Sequence, residues 1–444
     1  MGLLDIILFP VYVLLFHLYF SIARKKMADP QLRFYHKYAF WLKIIGSLAI
    51  TIFNVYISLG DSTTLYYREG YGLYKLILND SDHLKWFFTP VIDFDQNLIT
   101  DPANTGYYKS EANFFIIKLV AFFSLFCFGK YIIINLFFSM LAFSGIWKLF
   151  LFFYERYPKY HKKMAIAVLF LPTLVFWSSG ALKDPVCMCM LGWLTYSVYD
   201  GFYKKRNVLV NSVVAMIAML VISIVKPYIL FSYLPFFILY LILVNLHLIK
   251  NTLTKISIFL FIALGSVIGL YVASEKLQEE MGSLALDKLA ESVQTQQNNF
   301  INMSDRAESS FSLGVEYDGS LGSLAKMAPA AINATLFRPY IWESKKISTL
   351  LSSLESLSLM FFFLFVLKTA GPIRFLKTIF KDPMILFCLL FSVLFAFFIG
   401  ATTLNFGTLV RYKIPCMPFF IIALVLIYEY NKPIKKARST KQAV

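Results

Sequence analysis

The charged side chains that can do chemistry in this chain are few, and they lie at the edges of long apolar runs. Lys183-Asp184-Pro185 separates two such runs. A proline in the first turn and an aspartate at the N-cap are common at the start of a helix, so this spacing predicts that a helix begins here with Asp184 as its cap. Lys183 has no such explanation, and its ammonium group is a candidate ligand for an anion.

Two arginines have a similar setting farther along the chain. Arg338 lies in LFRPYIWESKK and Arg411 in GTLVRYKIP, each beside an apolar run. Because a guanidinium group can bind two phosphate oxygens at once, Lys183, Arg338 and Arg411 together predict a cationic pocket for a phosphate or pyrophosphate headgroup. The alternative for Arg338 is an ordinary surface salt bridge with Glu343.

An early polar segment, residues 60–112, adds an acid and a row of aromatic rings. Asp61 follows directly on an apolar run, where it is a candidate functional carboxylate or the cap of a following helix. Tyr67, Tyr71 and Tyr74 recur at helical spacing, which predicts an amphipathic helix with an aromatic face on the bilayer surface. Tyrosines are also ordinary anchors at membrane interfaces.

The same segment holds four further aspartates in the sequences NDSD and DFDQN. Hard divalent cations prefer carboxylate oxygens, so this first outer loop is a candidate site for a divalent cation, and a solvated acidic loop is the alternative. The five histidines do not fall on one face in the predicted topology, so no histidine metal site or catalytic triad is predicted.

These side chains must be positioned by membrane helices. Of the 444 residues, 58% are hydrophobic and 15% are charged, whereas soluble domains are about 25% charged. Apolar runs of roughly 20 residues recur without alternation, which predicts an all-α polytopic membrane protein and excludes a β-barrel. The net charge of +16 is then explained by basic cytoplasmic loops, and no nucleic-acid partner is predicted.

The distribution of charge predicts the topology, because basic loops face the cytoplasm. Segments 60–112 and 274–346 carry more acids than bases and are predicted outer loops, whereas the tail 430–444 is basic and cytoplasmic. A single transmembrane domain, residues 1–444, then has about eleven crossings, an outer N-terminus, a cytoplasmic C-terminus and a juxtamembrane outer-leaflet helix at 113–129. The predicted crossings, with a tight outer turn at 183–185, are 2–22, 38–59, 131–153, 164–181, 185–201, 207–226, 229–249, 254–273, 346–367, 384–401 and 412–429.

Three features of the layout and three short motifs point to a known family. Asp61 opens an outer loop after an early span, an outer-leaflet helix precedes a span that ends in FYERYPKYHKK, and a large outer loop comes late in the chain. LPTLVFWSSGALKD, LFRPYIWE and GTLVRYKIPCMPF look like sequences of bacterial cell-envelope polysaccharide glycosyltransferases and polymerases. In these respects the chain resembles the GT-C superfamily of integral-membrane glycosyltransferases. That family often has two adjacent acids in its first loop, whereas Ser62 follows Asp61 here.

The resemblance implies an enzyme that moves a sugar from a polyprenyl-phosphate-linked donor to a lipid-linked or cell-envelope glycan acceptor. The reaction would take place at the outer face of the bacterial inner membrane. Asp61 would be the general base that takes the proton of the acceptor hydroxyl. Lys183, Arg338 and Arg411 would bind the donor phosphate. The residues implied for the sugar or acceptor are Tyr67, Tyr71, Trp342 and Glu343.

Three other functions remain open from the sequence. An O-antigen or exopolysaccharide polymerase would use the same cationic pocket but needs two lipid-pyrophosphate sites. A transporter or flippase for lipid-linked sugars predicts charged residues inside the spans and often repeat symmetry, whereas span interiors here show few charges and no repeat. A non-catalytic membrane subunit would not bring Asp61 together with the cations of the outer face.

Overall fold

The structure is a computed structural model, which describes residues 2–57, 60, 62–99, 110–245, 311–314, 321–344 and 347–432. Regular structure in these ranges is helical. Seven helices are long and apolar enough to cross a bilayer, and two further helices that meet at a bend of 64° can form an eighth span. The predicted class, an all-α multi-pass membrane protein, is therefore confirmed.

Most of the helices run along one bundle, and the short ones lie at its ends or inside it. A π-helical segment extends α2 to Ile57, and another, Ser62–Tyr67, precedes α3. In chain order the α-helices of the described residues are α1 (Leu3–Lys25), α2 (Pro30–Ile52), α3 (Arg68–Asn79), α4 (Glu111–Cys127), α5 (Tyr131–Arg156), α6 (His161–Leu169), α7 (Pro172–Trp177), α8 (Lys183–Val198), α9 (Val208–Val225), α10 (Pro227–Val244), α11 (Leu321–Phe337), α12 (Ile347–Ala370), α13 (Pro372–Ile379), α14 (Pro383–Thr402), α15 (Phe406–Tyr412) and α16 (Met417–Asn431).

Side-chain contacts between α2 and α5 define the two ends of this bundle. At one end, here called the basic end, the Tyr154 hydroxyl near the end of α5 donates to Asp29, which caps the start of α2. At the other, here called the loop end, the Ser62 and Tyr131 hydroxyls are 2.8 Å apart. Helix α2 therefore runs from the basic end to the loop end, and α5 runs back.

Helices α5 and α8 lie backbone against backbone at two glycines. A Cβ atom added to Gly192 would lie 1.8 Å from the Gly145 carbonyl oxygen, and one added to Gly145 would lie 2.0 Å from the Cys189 carbonyl oxygen. Small residues permit such close approach in membrane helix bundles, where packing rather than hydrophobicity drives association. This contact fixes the position of α8 along the axis of α5. It therefore also fixes the position of the charged residues at the start of α8.

Helix α7 is a six-residue half-helix held by a charge at each end. At its N-terminus the Glu355 carboxylate accepts from the Thr173 backbone N–H at 2.9 Å and from the Thr173 hydroxyl at 2.5 Å. At its C-terminus the Lys43 ammonium group donates to the Ser178 carbonyl oxygen at 2.5 Å and to the Ser179 hydroxyl at 2.7 Å. Both charges have the sign that stabilises a helix dipole.

The single crossing predicted at 164–181 is therefore wrong as a continuous helix. The chain breaks between Leu169 and Pro172 and leaves the helix again after Trp177. The second break is held by Lys43, which lies ~20 Å from the start of α2 at a rise of 1.5 Å per residue. This break therefore lies deep inside the bundle. Residues 178–182 are buried, and the predicted tight turn on the outer face is instead an interior turn.

Asp184 does not have the predicted role of helix cap. Helix α8 begins at Lys183 after an extended Leu182, and Asp184 lies inside the first turn with its side chain directed elsewhere. Hydropathy alone did not reveal this difference. The interior turn, residues 178–182, is uncharged and continues the apolar run up to Lys183 and Asp184. The carboxylate is thus available to other elements of the bundle.

The first loop and the juxtamembrane segment form a packed pair of helices. Residues 113–127 of the predicted helix 113–129 lie on α4, a helix of 17 residues, and Phe128 and Gly129 end it with positive φ angles. Helix α3 follows Tyr67 as predicted, but it rests on α4, since a Cβ atom at Gly70 would lie 2.5 Å from a Val120 methyl group. The predicted crossing 254–273 lies outside the described residues, so the count of about eleven stays a prediction.

Replacement of Lys43 by Met tests the support of α7. The variant leaves the Ser178 carbonyl oxygen and two buried hydroxyls without their charged donor, so we expect a loss of about 2–3 kcal/mol in the free energy of unfolding. Thermal or denaturant unfolding of the purified protein in detergent measures it. Lys162→Met, at an exposed position near the basic end, should change stability by less than about 0.5 kcal/mol. Equal stability of the two variants would contradict this account of α7.

Candidate functional site

Asp184 is the centre of a buried ionic cluster at the junction of three elements. Its Oδ1 atom lies 2.6 Å from the Lys226 Nζ atom, and its Oδ2 atom lies 3.4 Å from the Arg411 Nε atom. The side chains of Asp184, Lys226 and Arg411 are 2%, 5% and 16% exposed. Arg411 is therefore the most accessible member of the cluster.

Local chain geometry brings the two cations to the carboxylate. Lys226 is the single residue between α9 and α10, and Pro227 behind it starts α10. Arg411 lies in the last turn of α15. The Tyr412 ring lies between them, 4.1 Å from the Lys226 ammonium nitrogen and 5.1 Å from the Arg411 guanidinium carbon, and so adds cation–π attraction to both.

The described contacts of this cluster join two cations to one carboxylate. Lys226 and Arg411 share one carboxylate, and Lys183 precedes that carboxylate in the chain. Burial alone would lower the pKa of Lys226, but the Asp184 carboxylate beside it raises that pKa above its usual value. Lys226 thus keeps its charge at neutral pH.

Arg338 lies across α15 from this cluster and is engaged by other partners. Its Nε atom is 3.0 and 3.1 Å from the two Glu343 carboxylate oxygens. Its guanidinium group also lies 4.4 Å from the Phe311 ring and 5.1 Å from the Phe406 ring. The surface-type salt bridge with Glu343, which the sequence left open, is therefore present and fixes the turn after α11.

Lys413 connects this turn to α12 and to the bend between α15 and α16. Its buried ammonium group donates to the Arg338 carbonyl oxygen at 3.1 Å and to the Ser356 hydroxyl at 2.9 Å. Trp342, the remaining aromatic candidate in this turn, is 77% exposed and stacks on Tyr340. The structure thus pairs Arg411 with Asp184, the residue that follows Lys183, and holds Arg338 against Glu343 in the turn after α11.

A large apolar cavity begins beside the same bent segment. Its volume is about 890 Å³. It is bounded by the end of α2, by α7, by one face of α12 and by the start of α16, and Glu355 and Thr173 contribute polar groups to its wall. Ile52 and Leu351 line it and are 48% and 66% exposed, so the cavity is continuous with the outer apolar surface of the bundle. Met417, six residues after Arg411, also lines it.

A smaller crevice of about 200 Å³ lies at the loop end. Two of the predicted sugar-binding residues, Tyr67 and Tyr71, line it with their rings stacked at 5.8 Å, and so do Asp5, Lys130 and Tyr131. These residues combine aromatic faces with one carboxylate and one ammonium group. Such a lining suits a ligand that has both apolar faces and hydroxyl groups.

The tyrosines of this crevice are fixed by one hydrogen bond and one glycine. The Tyr67 hydroxyl donates to the Gly129 carbonyl oxygen at 2.9 Å, and burial raises the pKa of Tyr67 to about 12, so the hydroxyl keeps its proton at neutral pH. Gly129 has a φ of +66°, and a Cβ atom there would lie 2.3 Å from the Tyr71 ring. A larger residue at position 129 would displace that ring.

Asn135 connects the crevice to the interior turn that leads to Asp184. Its Nδ2 atom donates to the Thr51 hydroxyl at 2.8 Å, and Thr51 lines the crevice. Its Oδ1 atom accepts from the Ala181 backbone N–H, also at 2.8 Å. Asp61, the predicted base, lies outside the described residues, but Ser62 beside it contacts Tyr131 of the crevice.

The acidic residues of the first loop do not assemble a metal site within the described residues. Asp80 and Asp95 accept from the backbone N–H groups of Asp82 and Asn97 and so cap short turns. No group of three or more potential metal-ligating side chains occurs in the described parts of the chain. A divalent cation at the first outer loop stays a prediction.

Sequence reasoning missed two charged residues. Lys226 repeats the pattern of Lys183, a cation before a proline between two apolar runs, and this pattern could have identified it. Glu355 is an acid inside the predicted span 346–367, which is itself a recognised signal of function. Neither has its partner nearby in sequence, so the pairings with Asp184 and Thr173 required the fold.

Comparisons of the chain with family models, with curated proteins and with solved structures found no match.

Asp184→Asn tests the ionic cluster. Removal of the carboxylate leaves Lys226 and Arg411 buried side by side, so we expect a loss of about 3–5 kcal/mol in the free energy of unfolding. The double variant Asp184→Asn/Lys226→Met should recover about 1–3 kcal/mol relative to the sum of the two single variants. Unfolding in detergent provides the measurement, and Asp82→Asn, at an exposed position, is the control. Strictly additive effects would show that the pair does not interact.

Proposed function

We propose that the chain is an integral-membrane glycosyltransferase that moves a sugar from a polyprenyl-phosphate-linked donor to a lipid-linked or cell-envelope glycan acceptor. The observation that carries the proposal is a bent helix pair, α15 and α16, with a cation of the ionic cluster on one side of the bend and the apolar cavity on the other. Arg411 lies before the bend, and Met417 lines the cavity immediately after it.

This arrangement matches an amphiphile with a phosphate head and a long apolar tail. The cavity volume of about 890 Å³ falls within the usual range of ligand pockets. Its continuity with the exposed apolar surface allows a tail to enter sideways from the bilayer. The Arg411 guanidinium group, the most accessible member of the ionic cluster, is the proposed ligand of the phosphate.

The proposed reaction is a displacement at the anomeric carbon. The acceptor hydroxyl oxygen forms a bond to that carbon while the bond to the donor phosphate oxygen breaks, and the electron pair leaves with the phosphate. Asp61 is the proposed base that takes the hydroxyl proton. Lys183 and Arg411 stabilise the charge that grows on the leaving phosphate, and Arg338 holds the wall behind them.

The crevice at the loop end is the proposed saccharide site. Tyr67 and Tyr71 offer ring faces and a hydroxyl, and the Asp5 carboxylate accepts hydrogen bonds from sugar hydroxyls. A crevice of about 200 Å³ has room for roughly six or seven waters, which is comparable to one sugar ring. Trp342 and Glu343 are proposed contacts for a longer acceptor at the opposite side of the bend.

The proposed orientation places the loop end outside the bacterial inner membrane and the basic end in the cytoplasm. The basic end carries Arg33, Lys162 and Lys204 together with the amphipathic helix α13 and its Arg374, in accord with the positive-inside rule. The N-terminus is then outside and the C-terminus inside.

Arg411→Lys tests the leaving-group role. Lysine keeps the charge beside Asp184 but loses the paired donors of the guanidinium group, so we expect cell-envelope polysaccharide to fall by roughly tenfold to hundredfold at an unchanged level of protein in the membrane. Asp61→Asn should also abolish the product, because an amide cannot accept the proton.

The matched control for this pair is Arg374→Lys in α13, which should leave the product unchanged. Product level is measured by glycan staining or sugar analysis of the envelope, and protein level by immunoblot of membranes. Wild-type product in both Arg411→Lys and Asp61→Asn would show that the proposed site is wrong.

Ser358→Trp tests the apolar cavity as a tail site. The indole group fills part of the cavity, so undecaprenyl phosphate should raise the unfolding temperature of the variant less than that of the wild type, whereas the shorter farnesyl phosphate should affect both alike. Leu364→Trp, on the exposed face of the same α12 and away from the cavity, is the control. A response of Ser358→Trp equal to that of the wild type would argue against a tail in this cavity.

A transporter or flippase for lipid-linked sugars is the second candidate, and one observation favours it. Lys43, Asp184, Lys226 and Lys413 are all buried inside the bundle, although the sequence suggested few interior charges. Interior charges are typical of substrate pathways. Translocation of a labelled lipid-linked sugar in proteoliposomes, with no new glycosidic bond, would select this alternative over the transferase.

A further inference from the structure

A second cationic pocket lies at the basic end, far from the cluster at Asp184. It is formed by the last turn of α1 and the first two turns of α2, and its volume is about 400 Å³. Arg24, Lys25, Arg33 and Lys37 line it together with Phe34, and no acid does. Arg33 and Lys37 are four residues apart on one helix and therefore share a face.

The cations of this pocket have no acidic partner among the described residues. The neighbouring carboxylate, Asp29, is directed away, since it accepts from the Gln31 backbone N–H at 2.8 Å and from the Tyr154 hydroxyl. These hydrogen bonds, that of Tyr154 first, lower the pKa of Asp29 and keep it engaged. The positive charge of the pocket is therefore not neutralised by the part of the chain that the structure describes.

Two arginines are positioned to bind an anion in this pocket. The Arg33 Nε atom donates to the Met27 carbonyl oxygen at 2.7 Å, which fixes the guanidinium group and leaves its terminal nitrogens for another ligand. The Arg24 Nη1 atom is buried and has no hydrogen-bond partner among the described residues. A buried donor without a partner is costly, so an acceptor from outside the chain would be stabilising.

The pocket opens onto an apolar strip on the outer surface of the bundle. Phe34, Tyr38 and Trp41 are 55%, 50% and 40% exposed and recur along one face of α2. Leu18 and Ile22 of α1 are 51% and 59% exposed and border the same region. A ligand bound here therefore contacts cations and, next to them, exposed apolar side chains. A lipid has both a charged headgroup and an apolar tail for these contacts, whereas a free anion has only the charge.

We propose that this pocket binds the phosphate group of an anionic phospholipid in the leaflet at the basic end. Basic pockets between membrane helices bind such headgroups with about 1 kcal/mol per lysine or arginine near the surface. The aromatic rings of Phe34 and Tyr38, which lie 4.4 Å apart, border the upper part of the acyl chains. This site is independent of the proposed transferase site and of its chemistry.

Native mass spectrometry of the full-length protein with phosphatidylglycerol or phosphatidylcholine tests the proposal. We expect the wild type to retain phosphatidylglycerol in preference, and Arg24→Gln/Arg33→Gln to bind it roughly thirtyfold more weakly, since two cations are lost. Lys25→Gln/Lys37→Gln replaces two exposed side chains of the same pocket, so it serves as a second variant if the first folds poorly. It should also weaken the binding of phosphatidylglycerol. The matched control Lys159→Gln/Lys162→Gln removes the same charge at the same end and should bind like the wild type.

Two results would overturn the proposal. Equal retention of phosphatidylglycerol by the wild type and by both pocket variants would show that the pocket is not the lipid site. A rise in the unfolding temperature of the wild type with millimolar inorganic phosphate, but none with phosphatidylglycerol, would show that the pocket takes a free anion. Polysaccharide formation is not a readout of this experiment, so its outcome is separate from that of the transferase proposal.

Discussion

A broken helix inside an apolar bundle needs partners for its exposed backbone groups, and the charges that provide them organise the rest of the structure. Glu355 accepts at the start of α7, and Lys43 donates at its end. Water is not available there to replace these bonds. Helix α7 ends beside Lys43, so the residues that follow it form an uncharged turn inside the bundle. The Asp184 side chain is buried as a result. The site thus follows from the way in which one short helix is capped.

The same constraint explains why the described ion pairs of Asp184 join three parts of the chain. A lone carboxylate at 2% exposure would be strongly disfavoured, and each cation that approaches it loses hydration as well. Lys226 comes from a turn between two long helices, and Arg411 from the bend before α16, so three parts of the chain must be in place before the charges are compensated. In the proposed function the accessible edge of this cluster, Arg411, is the group that meets the donor phosphate.

Sequence reasoning predicted the membrane class because apolar runs of span length depend on local composition alone. It also predicted one cationic pocket from Lys183, Arg338 and Arg411, and this pocket stays a prediction, because the described ion pairs join Arg411 to Asp184 and Arg338 to Glu343. It did not predict α7, because the two residues that support this break, Lys43 and Glu355, are more than 300 positions apart in the chain. Pro172 is the one local signal of the break. The partnership of Arg338 and Glu343 was open from the sequence because charges five residues apart can meet only if the chain turns between them.

The position of Asn135 bears on how one reaction could use both ends of the site. Its amide group binds Thr51 of the crevice and the Ala181 N–H of the interior turn, so the crevice and the turn that leads to Asp184 are held by the same residue. In the proposed reaction a lipid-linked donor approaches from the bilayer through the apolar cavity, whereas a sugar hydroxyl approaches from the loop end. Both must meet at fixed distance for an oxygen to attack the anomeric carbon, and rigid side-chain bridges are what provide such positioning. The amide of Asn135 suits this task because two separate atoms act, Nδ2 as a donor on one side and Oδ1 as an acceptor on the other, and the group adds no charge near Asp184.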